Sequence, residues 1–211
     1  MTIWAGFFNE LLPSLPGCPE DLAGNAIRNA TIRLCERTKA HKADLTPIPI
    51  LANVATYAYA APTGTVVIRV EEAWMGSIFI TQRSQGEIQS LIFGNWRAAT
   101  GTPLYLTGED ERTLRLVPIA STDQASALNL YVSLKPAEDA GFVADRIYQE
   151  YKTVIARGAK AELMMSPGMP YTQMTLGQAL QKEFEDQLGD IAWKVDRAFG
   201  RARPRVKAHF I

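Results

Sequence analysis

The sequence is poor in the residues that most often carry chemistry. Its 211 residues include two cysteines, Cys18 and Cys35, and two histidines, His41 and His209. Two cysteines build neither a disulfide framework nor a metal site. Both fall in a stretch that reads as helix, so they are expected to be reduced, largely buried thiols. His41 lies in KAHKAD and His209 three residues from the end; neither is placed where a frame could orient a base. Net charge is missing as well, since 22 Lys and Arg balance 22 Asp and Glu. That excludes a generally basic nucleic-acid binder and does little to hold copies of the chain apart. No run approaches the ~20 apolar residues of a spanning helix, and the start MTIWAGFFNELLPSLPG lacks the basic region of a signal peptide. A cytosolic chain with no membrane contact is expected.

Catalytic motifs are equally scarce. There is no G-x-G-x-x-G after a strand, no G-x-x-x-x-G-K-[ST], no H-E-x-x-H, no C-x-x-C and no G-x-S-x-G. The nearest approach to a phosphate loop, GNWRAATG at 94–101, has no lysine and follows no convincing parallel strand. No catalytic residue, cofactor site or metal ligand is therefore assigned, and an enzyme is not expected.

What is present is a globular composition, 47% apolar and 21% charged, in three textures. Residues 1–45 read as helix, with a first helix over Ile3–Leu12 stopped by Pro13 and a second from about Pro19–Asp21, where proline and two acids suit a helix start. Ala23, Ile27, Ala30 and Leu34 mark its buried stripe. Residues 46–137 switch to strands and turns. A hairpin is expected about Pro62–Gly64, a short strand at Ser77–Thr81, a second hairpin with its turn at Gly108–Asp110, and a one-face-buried strand over 128–134. A short helix or structured loop is expected within 86–101. Residues 138–200 return to helix. One runs from Phe142 to Leu163. After the break MMSPGMPY, a long one carries Leu176, Leu180, Phe184, Leu188, Ile191, Val195 and Phe199 at steps of three and four. The fold class expected is α+β: an α-helical bundle formed by 1–45 and 138–200, an inserted antiparallel β-rich domain at 46–137, and a basic C-terminal tail at 201–211.

The acid runs at 71–72, 109–111 and 183–186 read as solvated faces. Glu109, Asp110 and Glu111 would occupy a hairpin tip that a protein partner could read. Trp193 falls off the long helical stripe, which points to a second contact between subunits or to cover over the edge of the strand module. Beyond Asp196 there is no acid, while Arg197, Arg201, Arg203, Arg205 and Lys207 fall within eleven residues, and Pro204 blocks helix. The tail could clamp carboxylates of a protein surface, with Phe210 and Ile211 filling a pocket; it could touch DNA through phosphates alone; or it could have no partner.

Taken in order, LPGCPEDLAGNAIRNATIRLCERT, Trp96 with Gly101 and Pro103 in NWRAATGTPLYL, TLRLVPI, LNLYVSLKP, IYQEYKTVIARGAKAELMMSPGMPY and the stretch from Ala179 to Glu185 resemble the tailed-bacteriophage head–tail adaptor, or connector, proteins of the tail tubular A-like kind. The resemblance spans about residues 10–190. It implies a structural virion protein at the head–tail interface, assembled in the host cytoplasm, with no enzyme activity and no cofactor. It implies a ring of this chain with itself, typically of twelve subunits, between the portal protein and the next tail component, a nozzle or tail tube, with transient contact to genomic DNA in the channel. Arg201, Arg203, Arg205, Lys207, Phe210 and Ile211 are then candidates for portal or subunit docking, and Glu109, Asp110, Glu111 and Trp193 for tail-side or subunit contact. The alternative is another tail-completion protein or a small nucleic-acid-binding structural protein.

Overall fold

The computed structural model describes residues 1–92, 94–110 and 112–197. In chain order the helices are α1 (Phe8–Leu11), α2 (Glu20–Thr38), α3 (Gln85–Leu91), α4 (Asp145–Met164) and α5 (Met174–Asp196). The strands are β1 (Thr2–Ile3), β2 (Lys42–Asp44), β3 (Thr56–Ala58), β4 (Thr65–Met75), β5 (Ile78–Phe79), β6 (Thr81–Gln82), β7 (Thr100–Gly101), β8 (Tyr105–Asp110), β9 (Thr113–Val117), β10 (Ile119–Ala120), β11 (Leu128–Pro136) and β12 (Phe142–Val143). The class is α+β with an antiparallel-rich strand region. The chain divides into two compact units: one of Met1–Ala40 with the chain from Gly141 onward, the other of His41–Ala140.

In the first unit α2, α4 and α5 pack on one another, with α1 against α4 and α2. Pro19 precedes α2, Glu20 and Asp21 fill its first turn, and Lys39 ends it in the left-handed region. The buried side of α2 is Ala23, Ala26, Ile27, Ala30, Thr31, Leu34, Cys35 and Thr38; the two threonine hydroxyls return to carbonyls four residues earlier, Thr31 to Ile27 (2.7 Å) and Thr38 to Leu34 (2.7 Å). Leu34, Tyr151, Ile155, Phe184, Leu188 and Ile191, all expected in the bundle core, are buried. Two glycines allow the helices to meet. A Cβ on Gly158 would lie 2.9 Å from the Phe184 ring, and one on Gly177 2.7 Å from Met165 Cγ.

Two expectations for this unit need correction. Ile3–Leu12 is not one helix: β1 pairs with β12, and the chain then runs through 3-10 turns at Trp4–Phe7 and Leu12–Ser14 around α1. Packing against α4 overrides local propensity here, for Tyr148 donates its hydroxyl to the Gly6 carbonyl (3.0 Å) and stacks edge-on against Phe7. The stripe of α5 also begins later than its spacing implies. Leu176 is exposed and Leu180 half-buried, and the inward position of the first turn is Gly177. Phe199 lies outside the described residues.

The second unit holds two four-stranded sheets, ordered β2-β11-β4-β5 and β3-β9-β8-β6, antiparallel except for the β6–β8 pair. Their inner faces share one core, with Ala73, Met75, Leu128, Leu130, Val132 and Leu134 from the first and Tyr57, Leu106, Leu114 and Leu116 from the second. The alternation along β11 is the period-2 signal of a strand with one face inward. The expected hairpin about Pro62–Gly64 does not form. The turn exists, with Thr65 N donating to Pro62 O at 3.0 Å, but β3 pairs with β9 and β4 with β11, so the turn carries the chain between sheets. β11 offers β4 nine residues of partner, whereas the three-residue β3 is anchored by Tyr57, whose hydroxyl donates to the Leu51 and Val54 carbonyls. Ser77–Thr81 likewise splits into β5 and β6, each on a different sheet, with Ile80 buried between them. The second hairpin, β8–β9, forms as expected. The helix expected within 86–101 is α3, opened by a reciprocal capping box between Ser84 and Glu87.

Candidate docking surfaces

Concave chemistry is not where this molecule invests its side chains. The largest hollow of the helical unit, about 700 Å³, is an open groove lined by Asn29, Arg33, Gly158, Glu162, Gln181 and Phe184 among others. Its polar groups satisfy one another: Asn29 donates to Glu162 (2.9 Å), and Arg33 pairs with Glu185 (2.6 Å). Cys35 is sealed in the core, where burial, aided by Glu36, pushes its thiol up to about 12, so it stays protonated and inert. Cys18 is half-buried. His41 begins the second unit, its carbonyl taking the Leu134 amide (2.8 Å). Among the described residues no group of His, Cys, Asp and Glu could hold a metal ion, and no helix is long and apolar enough to cross a membrane. His209 lies outside the described residues.

The surface is more informative. On the β unit the edge strand β5 leaves Ile78 and Phe79 exposed, and Phe79 stands edge-on to Trp74 across the strand pair at 4.8 Å. Phe79 keeps 47% and Trp74 39% of its surface. The Trp74 indole N–H donates to Glu72 (3.2 Å), which fixes the ring upright on the outer face. The sequence reading missed this pair. The signal was available: Trp74 follows inward-facing Ala73, and Phe79 follows a tight turn at Gly76, whose φ is +59°.

The acidic tip differs from a free row of charges. Glu109 is braced inside its own sheet. Thr56 donates to it at 2.6 Å, Arg115 at 2.7 Å and Arg97 at 3.3 Å. Arg97 also lies over the Trp96 ring at 4.5 Å and donates to Gln85. The Thr56 hydrogen bond and then the Arg115 guanidinium, opposed by partial burial, hold the Glu109 carboxyl below the usual carboxylate range. Only about a quarter of its side chain is open, 26%. Asp110 is exposed, and Glu111 lies outside the described residues.

On the helical unit Trp193 is the largest exposed apolar group, with 56% of its surface open. The Arg197 guanidinium covers one face of its ring at 3.6 Å. Asp186 and Asp190 are exposed on the same side of α5, and Met174 and Leu176 are exposed at its N-terminal end. Arg201, Arg203, Arg205, Lys207, Phe210 and Ile211 lie outside the described residues.

A search of curated proteins finds no match to this chain. The family model described as SU10 adaptor protein matches residues 8–206. That span takes in both compact units, from α1 through α5, and bears out the resemblance drawn from the sequence motifs. The chain belongs to the SU10 adaptor protein family, a family of head–tail adaptors of the virion.

Proposed function

We propose that this chain is one subunit of a closed ring between the portal protein and the next tail component, a nozzle or tail tube, of a tailed phage. The ring is assembled from host cytoplasm, has twelve copies, and is crossed by the genome with only passing phosphate contact. The observation that carries this reading is that each compact unit has its own exposed aromatic surface, Trp74 with Phe79 on one and Trp193 on the other. A bridging protein needs two different docking surfaces, and aromatic anchors are what such surfaces use. In a ring, each subunit meets its two neighbours through different patches, and the contact must close.

The helical unit faces the portal in this reading, with Trp193 at a neighbouring subunit and Arg201, Arg203, Arg205, Lys207, Phe210 and Ile211 docking on portal or neighbour. The β unit faces the tail, presenting Trp74, Phe79 and the tip Glu109–Glu111. The test mixes purified chain with portal rings and, separately, with the tail component, and reads attachment by electron microscopy and sedimentation. Trp74→Ala with Phe79→Ala is expected to leave ring formation on the portal intact and to weaken tail attachment at least tenfold, about 1.4 kcal/mol. Truncation after Gly200 is expected to weaken portal attachment by at least the same factor. A chain that stays monomeric on the portal refutes the ring, and unchanged tail attachment by the double variant refutes the assignment of the β face.

A further inference from the structure

We infer that, before docking, the C-terminal tail folds back along the outer face of its own α5, laying Arg203 against Asp190, Arg205 against Asp186 and Ile211 against Leu176 and Met174. The tail thereby screens Trp193 until a partner displaces it. This deepens the reading of the tail as a docking segment, and it concerns the free chain.

The first support is the face itself. Asp186, Gly189, Asp190 and Trp193 follow one another at steps of three and four, so they share one side of the helix, and all four are exposed. Neither aspartate makes an ion pair within the described residues, whereas Glu183 pairs with Arg157 and Glu185 with Arg33. Gly189 stands out against the other glycines of these helices. Gly158 and Gly177 have neighbours that a Cβ would strike, but a Cβ on Gly189 would meet nothing within 4 Å. A mid-helix glycine costs about 1 kcal/mol relative to alanine, and nothing in the described residues requires it. A backbone lying across the helix beside Trp193 would.

The second support is charge. Four of the 22 basic residues and none of the 22 acids lie in 201–211, so the first 200 residues hold 18 bases against 22 acids, a net charge of −4 facing a tail of +4. The tail is also patterned. Arg201, Arg203, Arg205 and Lys207 occupy alternate positions, with Ala202, Pro204, Val206 and Ala208 between them. Pro204 bars helix, and in extended chain alternate residues share a side. The four cations thus form one row, and Ile211 falls on the same side.

The third support is length and register. Extended chain advances about 3.3 Å per residue and helix about 1.5 Å, so each tail residue passes roughly two residues of helix. If the chain reverses across 198–200, Arg201 starts level with the last turn of α5. Arg203 then comes level with Asp190, Arg205 with Asp186, Lys207 with Glu183, and Ile211 with the exposed Met174 and Leu176. Eleven extended residues span about 36 Å, and the 23-residue helix spans about 34 Å. Tethering by three residues gives the tail a local concentration that a separate copy must exceed.

The experiment uses the free chain with no portal present. In a Trp74→Phe background Trp193 is the one tryptophan left largely open, since Trp4 and Trp96 are buried. Acrylamide quenching of tryptophan fluorescence is expected to rise about twofold on truncation after Gly200, on Asp186→Lys with Asp190→Lys, and on raising salt from 0.05 to about 1 M, where charge pairs are screened. Equal quenching in intact and truncated chains overturns the proposal. A second measurement places Gly189→Cys and Arg203→Cys together in a chain carrying Cys18→Ser and Cys35→Ala. Oxidation is expected to give a disulfide within one chain, seen as a faster monomer band without reductant. A disulfide-linked dimer would assign the face to the tail of a second copy and overturn the fold-back, as would no disulfide at all. Because no portal is present, either result leaves portal attachment to be judged by its own test.

Discussion

Phe184 shows how much of the helical unit rests on single side chains. Its ring is buried and lies on Gly158 of the facing helix, which has no Cβ to hold it off. Truncation removes the apolar contact and leaves a void that α2, α4 and α5 cannot close without moving. Phe184→Ala is expected to lower unfolding free energy by about 3–5 kcal/mol in urea denaturation; a loss under about 1 kcal/mol would show that the ring is not a core group. The same residue illustrates what sequence can and cannot say. Its place in the stripe with Leu188, Ile191 and Val195 was legible from spacing. The glycine it rests on, two helices earlier in the pattern, was not, because nothing in a spacing pattern states which side chain meets which across a bundle.

At the scale of elements, long periodic segments were legible and short ones were not. α2, α4, α5 and β11 each repeat their pattern often enough for burial to fix the type and the face, and their ends fall within a few residues of the expected places. β3, β5 and β6 are two or three residues each, and their partners lie far along the chain, so a local turn at Pro62–Gly64 was read as a hairpin when it joins two sheets. The docking surfaces divide in the same way. Trp193 was visible as a residue off its stripe, whereas Trp74 and Phe79 become a surface only once β5 is seen at a sheet edge. Glu109 marks the opposite case, an acid that looked free and is a brace. It joins β8 to β9 through Arg115, to β3 through Thr56, and to the turn after α3 through Arg97. Because its folded pKa lies below the unfolded value, the stability it adds is present above the ordinary carboxylate pKa and is lost as pH falls through the depressed one. Glu109→Gln is therefore expected to be less stable than wild type at pH 7, with the gap closing below about pH 4. Urea midpoints measured across this range check it, and a gap independent of pH would contradict it.

At the scale of the whole molecule the strand unit is a single excursion of the chain. It leaves the helical part at Ala40 and returns at Gly141. Its first strand, β2, is hydrogen-bonded to its last long strand, β11, with Ala43 opposite Val132 and Leu134 N donating to His41 O. To the helical unit an unfolded stretch of 100 residues between α2 and α4 would be an open loop, and closing it would cost about 4 kcal/mol of chain entropy. Once β2 and β11 are paired, most of that loop is already closed. The order of events in folding then follows from topology: strands that meet early shorten the path by which α2 finds α4 and α5. Ala43→Pro, which removes a ladder donor, is expected to slow the appearance of helix signal in stopped-flow refolding, although every helix residue is unchanged. Equal rates would mean that the helices assemble without waiting for the strands. A pair of short hydrogen-bonded strands would in this way govern how quickly a subunit becomes ready to join its neighbours, far from any surface it uses to do so.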